Sequence, residues 1–158
     1  MKKIILLCAV SFLIVACKST SVTNAKLDTP SQVAMKGNWE ITNVIYPGSE
    51  YIKVNSFDLA DSKCFEGSQW KFISNNNKGN ITLNSPNCTA YSSAITWFVN
   101  KEGQFVMKIL DEGLKSKKVR TGFVLGIANQ SENSFQLIDK IAVGGKFTDV
   151  VYQFKKIN

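Results

Sequence analysis

The sequence contains no histidine, and only one of its 19 basic residues, Arg120, is an arginine. Histidine is the usual base of Ser-His and Cys-His catalytic pairs and a common metal ligand, so active sites of these kinds are excluded. A carboxylate pair, as in glycoside hydrolysis, is what remains, and Asp58, Asp61 and Glu66 are the candidates. Because acidic residues in a polar loop are usually only solvated, we expect that the protein is not an enzyme.

Cysteine is also scarce. The four cysteines are Cys8, Cys17, Cys64 and Cys88, and no two of them form a C-x-x-C pair. Structural zinc sites are usually built from several cysteine and histidine ligands. Since most of these ligands are missing, we expect neither a metal nor a cofactor.

The sequence has one long apolar run, residues 4–15, which follows the basic start Met1-Lys2-Lys3. Its 12 residues are too few to cross a bilayer, which takes about 20. This layout predicts a secretory signal peptide over residues 1–16. The run ends in Ile14-Val15-Ala16-Cys17, which resembles the bacterial lipobox. The resemblance implies that Cys17 is lipidated and becomes the first residue of the mature protein.

The lipobox resemblance also implies a location in the cell envelope, with the domain anchored to a membrane by the lipid on Cys17. Lys18 stands where an aspartate would signal retention in the inner membrane, so the outer membrane is favoured. Residues 17–34 are polar and poor in aromatic side chains, and they are predicted to form a flexible tether. Residues 35–158 then fit a single domain.

The charge of the mature chain is moderate. Removal of Lys2 and Lys3 leaves 17 basic and 12 acidic residues, a net charge of +5. The lysines are scattered, apart from a cluster at 115–118 that closely follows Asp111 and Glu112. A solvated loop explains this cluster better than a nucleic-acid site does. We therefore expect no nucleic-acid partner.

Eight runs of alternating apolar and polar residues, rich in β-branched and aromatic side chains, predict β-strands. No stretch shows a sustained helical period, and only residues 55–61 are expected to form a short helical turn. Turn-forming residues such as Asn75-Asn76-Asn77 and Gly144-Gly145 separate several runs, which is typical of hairpins. The runs cover residues 39–46, 68–74, 79–84, 92–99, 104–110, 118–127, 134–140 and 148–156.

Eight short strands joined mostly by short turns predict an all-β domain, either a sandwich or an up-and-down barrel. The first run opens with Gly37-Asn38-Trp39. The glycine lets the backbone turn tightly, and the indole ring is large enough to fill one end of a small barrel. Together with the seven further runs, this G-x-W pattern resembles the lipocalin family of the calycin superfamily, and more narrowly the lipocalin-like lipoproteins of bacteroidete bacteria. The resemblance covers residues 36–157 and implies an eight-stranded antiparallel up-and-down β-barrel.

In lipocalins a basic side chain near the end of the chain packs over the tryptophan of the G-x-W pattern. The alternation of the last run points Lys156 towards Trp39, where a cation–π contact is possible. The resemblance therefore implies that Gly37, Trp39 and Lys156 form the base of the barrel.

Cys64 and Cys88 fall in the first and third connections between the predicted strands. Alternate connections of a meander lie at the same end, so the two cysteines are expected to be close enough to pair. Such a disulfide would close about 25 residues and stabilise the fold by about 3 kcal/mol, and disulfides persist outside the cytoplasm. The alternatives are two reduced thiols or two metal ligands, and the lack of histidine and of a C-x-x-C pair argues against the metal site. The longest loop, residues 47–67, lies at the same end and predicts a binding mouth there.

The inward-facing positions nearest this mouth are mostly aromatic and aliphatic. Such a ring of side chains suits a small hydrophobic guest, with Tyr152 or Thr121 as a hydrogen-bonding group. The same side chains would equally well fill the barrel as a packed core. The predicted ligand-lining residues are Trp70, Leu83, Ile95, Trp97, Met107, Ile109, Thr121, Phe123, Leu137, Val150 and Tyr152.

Two functions are consistent with the sequence. The first is a non-enzymatic envelope lipoprotein that binds or carries a small hydrophobic ligand, by burying apolar surface in a preformed cavity. The second is a protein-interaction module of the outer membrane with a filled barrel, such as an enzyme inhibitor or a subunit of an assembly. Exposed aromatic residues in or beside the mouth loops would then be the contacts: Tyr46, Tyr51, Phe57, Phe65 and Tyr91.

Overall fold

The computed structural model describes residues 29–48, 52–110, 119 and 121–158. The predicted signal peptide, Cys17 and the first part of the predicted tether lie outside these residues, as do Tyr51 and Arg120. The described chain contains a six-residue helix, α1 (Thr29–Ala34), a 3₁₀ helix (Ser62–Phe65) and ten strands. The strands are β1 (Gly37–Ile45), β2 (Asn55–Ser56), β3 (Ala60–Asp61), β4 (Gln69–Ile73), β5 (Lys78–Leu83), β6 (Tyr91–Val99), β7 (Phe105–Leu110), β8 (Phe123–Ala128), β9 (Ser134–Val143) and β10 (Lys146–Ile157).

The eight longer strands form one closed antiparallel barrel in the order β1-β10-β9-β8-β7-β6-β5-β4. Each barrel strand pairs with the next one along the chain, and β10 closes the ring by pairing with β1. Trp39 lies at the closure, opposite Trp70 of β4 on one side and Lys156 of β10 on the other. The predicted all-β, eight-stranded up-and-down barrel is therefore confirmed, and each of the eight predicted runs corresponds to one barrel strand.

The two ends of the barrel differ. At the basal end, short turns at 74–77, 100–104 and 129–133 join the strands, and α1 lies beside them. At the mouth end, β9 and β10 are joined by the two-residue turn 144–145, but the other three connections are longer, and the one between β1 and β4 contains β2, β3 and the 3₁₀ helix. None of the helices in the described ranges is long and apolar enough to cross a membrane.

The prediction of a helical turn at residues 55–61 was wrong. This stretch is a small hairpin, in which β2 and β3 pair through Asn55↔Asp61 and Ser56↔Ala60. Phe57 and Asp58 have φ angles of 56° and 53°, and the Leu59 N–H donates to Ser56 O at 3.0 Å. Two successive left-handed residues form a tight hairpin turn and cannot continue a right-handed helix.

The predicted flexible tether was also too long, because its last residues form α1. Gln32 is buried there, with 4% of its surface exposed. Its side-chain amide donates to Ser74 O at 3.0 Å and to Asn77 Oδ1 at 2.7 Å, while its carbonyl oxygen accepts from the Val99 N–H at 3.2 Å. These three bonds attach α1 to the turn at 74–77 and to the last residue of β6, so α1 is part of the folded domain.

One core runs through the whole barrel. Phe135 and Phe154 stack at 4.5 Å between ring centroids, and the edge of Trp39 meets Phe135 at 4.6 Å. Edge-to-face and offset-stacked pairs of this kind stabilise a core beyond the area they bury. The side chains of Trp39, Trp70, Trp97, Tyr152, Phe65, Phe72, Phe105, Phe135 and Phe154 are almost completely buried. The interior of the barrel is filled by these rings.

Candidate functional site

The mouth of the barrel is occupied by Phe57, from the β2–β3 hairpin. Only 6% of its surface is exposed. Its ring centroid lies 5.2 Å from that of Phe65, 5.3 Å from those of Phe123 and Tyr152, and 6.2 Å from that of Trp70. The Phe57 ring therefore extends the aromatic core as far as the mouth, and the mouth is not open at this point.

A disulfide fastens the mouth loop. Cys64, in the 3₁₀ helix, is bonded to Cys88, in the β5–β6 connection, with Cα atoms 5.8 Å apart. The prediction that these two cysteines lie at the same end and pair is confirmed. The bond links the longest connection to the neighbouring β5–β6 connection at the same end, which restrains the hairpin that carries Phe57.

Buried hydroxyl groups hold the same loop to the wall. Tyr46 and Ser62 share a hydrogen bond of 2.6 Å, and Ser62 Oγ donates to Val54 O at 3.0 Å. Tyr152 of β10 donates its hydroxyl proton to Ser56 of β2. Burial raises the pKa of Tyr152 above its ordinary value, so this hydroxyl stays protonated and acts as a donor.

Two of the three candidate catalytic carboxylates, Asp61 and Glu66, make structural hydrogen bonds, and the third, Asp58, is exposed. Asp61 Oδ1 accepts from the Lys63 N–H at 2.9 Å and caps the 3₁₀ helix, and Asp58 is exposed in the hairpin turn. Glu66 accepts from the Val44 N–H and from Lys63 Nζ, both at 2.9 Å. Partial burial raises the pKa of Glu66, but these hydrogen bonds outweigh burial and hold it below its ordinary value.

The part of the chain that the structure describes also contains no group of three or more Cys, Asp or Glu side chains arranged to hold a metal ion.

Most of the predicted ligand-lining residues are core side chains. Trp70, Leu83, Ile95, Trp97, Met107, Leu137, Val150 and Tyr152 each expose 2% of their surface or less. Ile109 and Phe123 are half-buried, and Thr121 is exposed, because it precedes the first residue of β8. Of the two predicted hydrogen-bonding residues, only Tyr152 is buried in the barrel. Its hydroxyl group donates to Ser56 and is therefore not free to bind a ligand.

The mouth nevertheless keeps an incompletely covered apolar rim. Ile109, Phe123, Ile141 and Val143 pack against the core and remain partly exposed. Asp139 lies on the same inward-facing side of β9 as Ile141 and Val143. Burial raises the pKa of this carboxyl group, partly offset by a backbone hydrogen bond with Lys140. The rim is therefore mainly apolar, with one weakly acidic group.

The predicted contact residues of an interaction module need correction. Tyr46, Phe57 and Phe65 expose 7%, 6% and 0% of their surface, so their aromatic rings pack inside the mouth. Tyr91 is half-buried at the start of β6, and Tyr51 lies outside the described residues. Sequence alone could not show this, because a loop aromatic that folds inward and one that faces solvent have the same local pattern.

Apolar side chains do lie on the outside of the barrel wall. Ile45 pairs with Val151, and Val151 with Ile138, while on the neighbouring strands Val124 pairs with Val106. Ile45 exposes 42% of its surface and Val124 exposes 52%. We call the outward-facing residues of this band the outer-wall row: Ile45, Val151, Ile138, Val124, Val106 and Phe98.

A backbone irregularity contributes to this row. The pairing of β1 with β10 shifts register between Ile41 and Asn43. A bulge places one extra residue on a strand and reverses the alternation beyond it. Val44 consequently points into the core and Ile45 to the outside, whereas Thr42 and Asn43 are both exposed. Strict alternation from Trp39 would have pointed Ile45 inward.

The predicted basal residues lie together. The Trp39 indole N–H donates to Met35 O at 2.8 Å, and Lys156 Nζ lies 5.6 Å from the centre of the Trp39 ring. Gly37 has a φ angle of 135°, and a Cβ added there would lie 3.4 Å from Lys156 Cε. Glycine is required by this backbone conformation, which side chains rarely allow. The lysine covers the tryptophan from outside, at the solvent boundary, rather than from within the core.

Comparisons of this chain with protein-family models, with curated proteins and with solved structures found no significant match. The closed eight-stranded antiparallel barrel is consistent with a lipocalin-like fold.

Proposed function

We propose that this protein is a non-enzymatic, lipocalin-like lipoprotein of the bacterial cell envelope, anchored by a lipid on Cys17, that acts as a protein-interaction module through the outside of a filled barrel. The observation that carries the proposal is the position of Phe57, which closes the mouth and continues the aromatic core. A hydrophobic guest would have to displace this ring before it could enter.

The cost of that displacement argues against simple carriage. Removing a buried phenylalanine ring from a core costs about 3–5 kcal/mol. The mouth loop is also tied by the disulfide and by the hydroxyl groups of Tyr152 and Ser62. A ligand would have to recover this energy from its own burial, so the binding surface that is ready for use lies outside the barrel.

The outer-wall row is the proposed contact surface. Exposed apolar groups that form a connected patch mark interaction sites more often than isolated ones do. The row spans neighbouring strands, and its most exposed members are Val124 and Ile45. Phe147, which is 79% exposed, lies on the same side of β10, separated from Val151 by the ion-paired Asp149. A partner protein that presents its own apolar side chains would bury this area, with polar residues of the wall at the rim.

Affinity capture from envelope extracts, with Val124→Asp and Asn43→Asp compared against the wild type, tests the proposal. Both changes add one negative charge at an exposed position of the outer wall, but only Val124 belongs to the row. We expect one stoichiometric partner with the wild type and with Asn43→Asp, and its loss with Val124→Asp. Failure to recover a partner with the wild type, or equal recovery with Val124→Asp, would contradict the proposal.

The lipid anchor has its own test. Metabolic labelling with a radioactive fatty acid should mark the wild-type chain and leave Cys17→Ser unlabelled. Fractionation of the membranes then locates the labelled protein. An unlabelled wild-type chain would remove the anchor from the proposal.

Carriage of a small hydrophobic ligand is the second candidate, and the partly exposed apolar rim at Ile109, Phe123, Ile141 and Val143 favours it. A guest resting on this rim would bury apolar surface worth about 25 cal/mol per Å². Native mass spectrometry of gently extracted protein should then show a bound small molecule. Loss of that molecule in Ile141→Asp, with retention in Val124→Asp, would place the ligand at the mouth rather than on the outer wall.

A further inference from the structure

The two ends of the described barrel differ in charge. The basal half carries six lysines, at positions 36, 71, 78, 101, 155 and 156, and three glutamates, at positions 40, 102 and 132. The mouth half carries five lysines, at positions 53, 63, 108, 140 and 146, and five acidic residues, at positions 58, 61, 66, 139 and 149. The described residues therefore give the basal half a net charge of +3 and the mouth half a net charge of zero.

An open groove of about 700 Å³ lies at the basal end, between α1 and the turn that joins β8 to β9. Lys36 and Lys156 both line it, and Gly37, next to Lys36, lies against the Lys156 side chain. Lys156 Nζ also donates to Glu132 O at 3.4 Å, and Glu132, whose side chain is exposed, lines the groove as well. Each lysine ammonium group carries three N–H donors, so two lysines that line one concave surface suit a phosphate group.

The same end presents exposed apolar surface. On α1, Pro30, Val33 and Ala34 face solvent, and Val33 exposes 54% of its surface while lining the groove. Lysines next to exposed apolar groups are typical of surfaces that rest on a lipid headgroup layer, where cations meet phosphates and apolar groups enter the acyl boundary.

We propose that the basal face, defined by α1, the groove and the six basal lysines, docks on an anionic phospholipid surface, with a lipid phosphate bound between Lys36 and Lys156. Charge complementarity and the exposed Val33 carry this proposal. The position of α1 at the basal end agrees with it, because α1 is the first described element of the chain. If Cys17 is the lipidated residue, 11 residues separate it from Thr29, and an extended chain of that length reaches about 40 Å. The argument from the lipid on Cys17 rests on the proposed function, whereas the basal charge and the groove are independent of it.

The consequence is an orientation. With the basal face on the membrane, the mouth and the upper part of the outer-wall row point away from the lipid, where an envelope partner can reach them. The basal end of the barrel would then face the membrane.

Vesicle flotation of the unlipidated chain from residue 18 onward tests the proposal, since the described barrel, disulfide and core all lie within residues 29–158. Vesicles of phosphatidylglycerol mixed with phosphatidylcholine should bind the protein, and pure phosphatidylcholine should not. Each lysine near an anionic surface contributes about a fivefold change in binding. We therefore expect Lys36→Gln/Lys156→Gln to bind about 10- to 30-fold more weakly, and the mouth-half control Lys53→Gln/Lys146→Gln to bind like the wild type.

Two further arms separate specific docking from alternatives. Lys115→Gln/Lys117→Gln removes the same charge from the β7–β8 connection, so equal weakening by this variant would show that total charge decides and would overturn the proposal. Because Lys156 also packs on Trp39, Lys36→Gln/Lys78→Gln gives a second basal variant that leaves this contact intact, and it should weaken binding as well.

Binding of inorganic phosphate separates a lipid headgroup from a free anion. If phosphate saturates the groove and the protein does not bind to vesicles, the site belongs to a free anion and the proposal is overturned. The vesicle result is independent of capture by the outer-wall row, so either proposal can fail alone.

Discussion

Tyr152 on β10 donates a hydrogen bond to Ser56 on β2, and the two residues are 96 positions apart in the chain. The bond joins the last strand of the barrel to the hairpin that fills its mouth. It is buried on both sides, since Ser56 exposes none of its surface and Tyr152 only 1%. The closed mouth thus depends on a contact between the β2–β3 hairpin and the last strand of the barrel.

Removing either partner of this bond should destabilise the fold. Tyr152→Phe leaves the Ser56 hydroxyl without its donor, and Ser56→Ala leaves the tyrosine hydroxyl unpaired, so each should cost about 1–2 kcal/mol of unfolding free energy. Urea denaturation of both single variants and the double variant measures the coupling. The double variant should be less destabilised than the sum of the two, and simple additivity would show that the bond does not form.

Phe57 gives the sharpest test of the filled barrel. Phe57→Ala should lower the free energy of unfolding by about 3 kcal/mol or more, because it leaves a cavity among Phe65, Trp70, Phe123 and Tyr152. Phe147→Ala removes the same group from an exposed position and should change stability by about 0.5 kcal/mol or less. If both variants had the stability of the wild type, Phe57 would not be buried in the mouth.

The Phe57→Ala variant also distinguishes the two proposed functions. An opened mouth should bind small apolar dyes that the wild type excludes. Binding of the same dyes by the wild type, with unchanged affinity, would favour ligand carriage over a filled barrel.

The disulfide should contribute measurable stability. Cys64→Ala/Cys88→Ala should lower the free energy of unfolding by about 2–4 kcal/mol. Adding a reductant should lower the stability of the wild type by a similar amount and leave the double variant unchanged. Equal responses of the two proteins to reductant would mean that the bond is not formed in solution.

Gln32 provides a test of how α1 is attached. Gln32→Ala removes the acceptor of the buried Val99 N–H and should cost about 1–3 kcal/mol. Gln69→Ala, at an exposed position of β4, serves as the control and should cost far less. Faster amide hydrogen exchange at Val99 in the first variant, but not in the second, would place the loss at the basal end.

Two acidic residues should make opposite contributions to the pH dependence of stability. The pKa of Glu66 is lowered by folding, so its stabilising effect is present above its unfolded pKa and is lost as the pH falls through the folded value. The pKa of Asp139 is raised by folding, so stability falls as the pH rises from its unfolded pKa through the folded value. Glu66→Gln should therefore destabilise the protein at neutral pH, and Asp139→Asn should stabilise it.

Denaturation curves recorded from acidic to neutral pH measure both effects. The Glu66 effect should be modest, about 1 kcal/mol or less, because its ion pair with Lys63 is partly exposed and screened. At acidic pH, below both pKa values, the two variants should approach the wild type. The same sign of change for both at neutral pH would contradict the assignment.

The barrel strands were predictable because the alternation of apolar and polar residues is a local property of the sequence. A side chain at every second position of a strand faces the same side, so runs such as 134–140 and 148–156 could be assigned without knowledge of their partners. The disulfide followed from the order of connections in a meander, which again needs only the chain sequence. The pairing of Cys64 with Cys88 is therefore predictable from the sequence, and the structure confirms it.

The mouth could not be predicted in the same way. Whether Phe57 points into the barrel or into solvent depends on a hairpin turn with two left-handed residues and on its contact with Tyr152, far along the chain. The bulge after Ile41 likewise reverses the faces of Val44 and Ile45 by the addition of a single residue. Gln32 carried no local signal, because its three partners come from the basal turns and from β6.

The sequence by itself determined the eight strands of the barrel, their antiparallel order and the end at which the cysteines meet. Each of these follows from the alternation of apolar and polar residues and from the order of the strands along the chain. Only the tertiary structure decided that the interior is filled, that the outer wall carries an apolar row in which Ile45 and Val124 are exposed, and that the basal end is the more basic one. These features depend on which distant side chains meet, and the free energy of those contacts is set by packing in three dimensions.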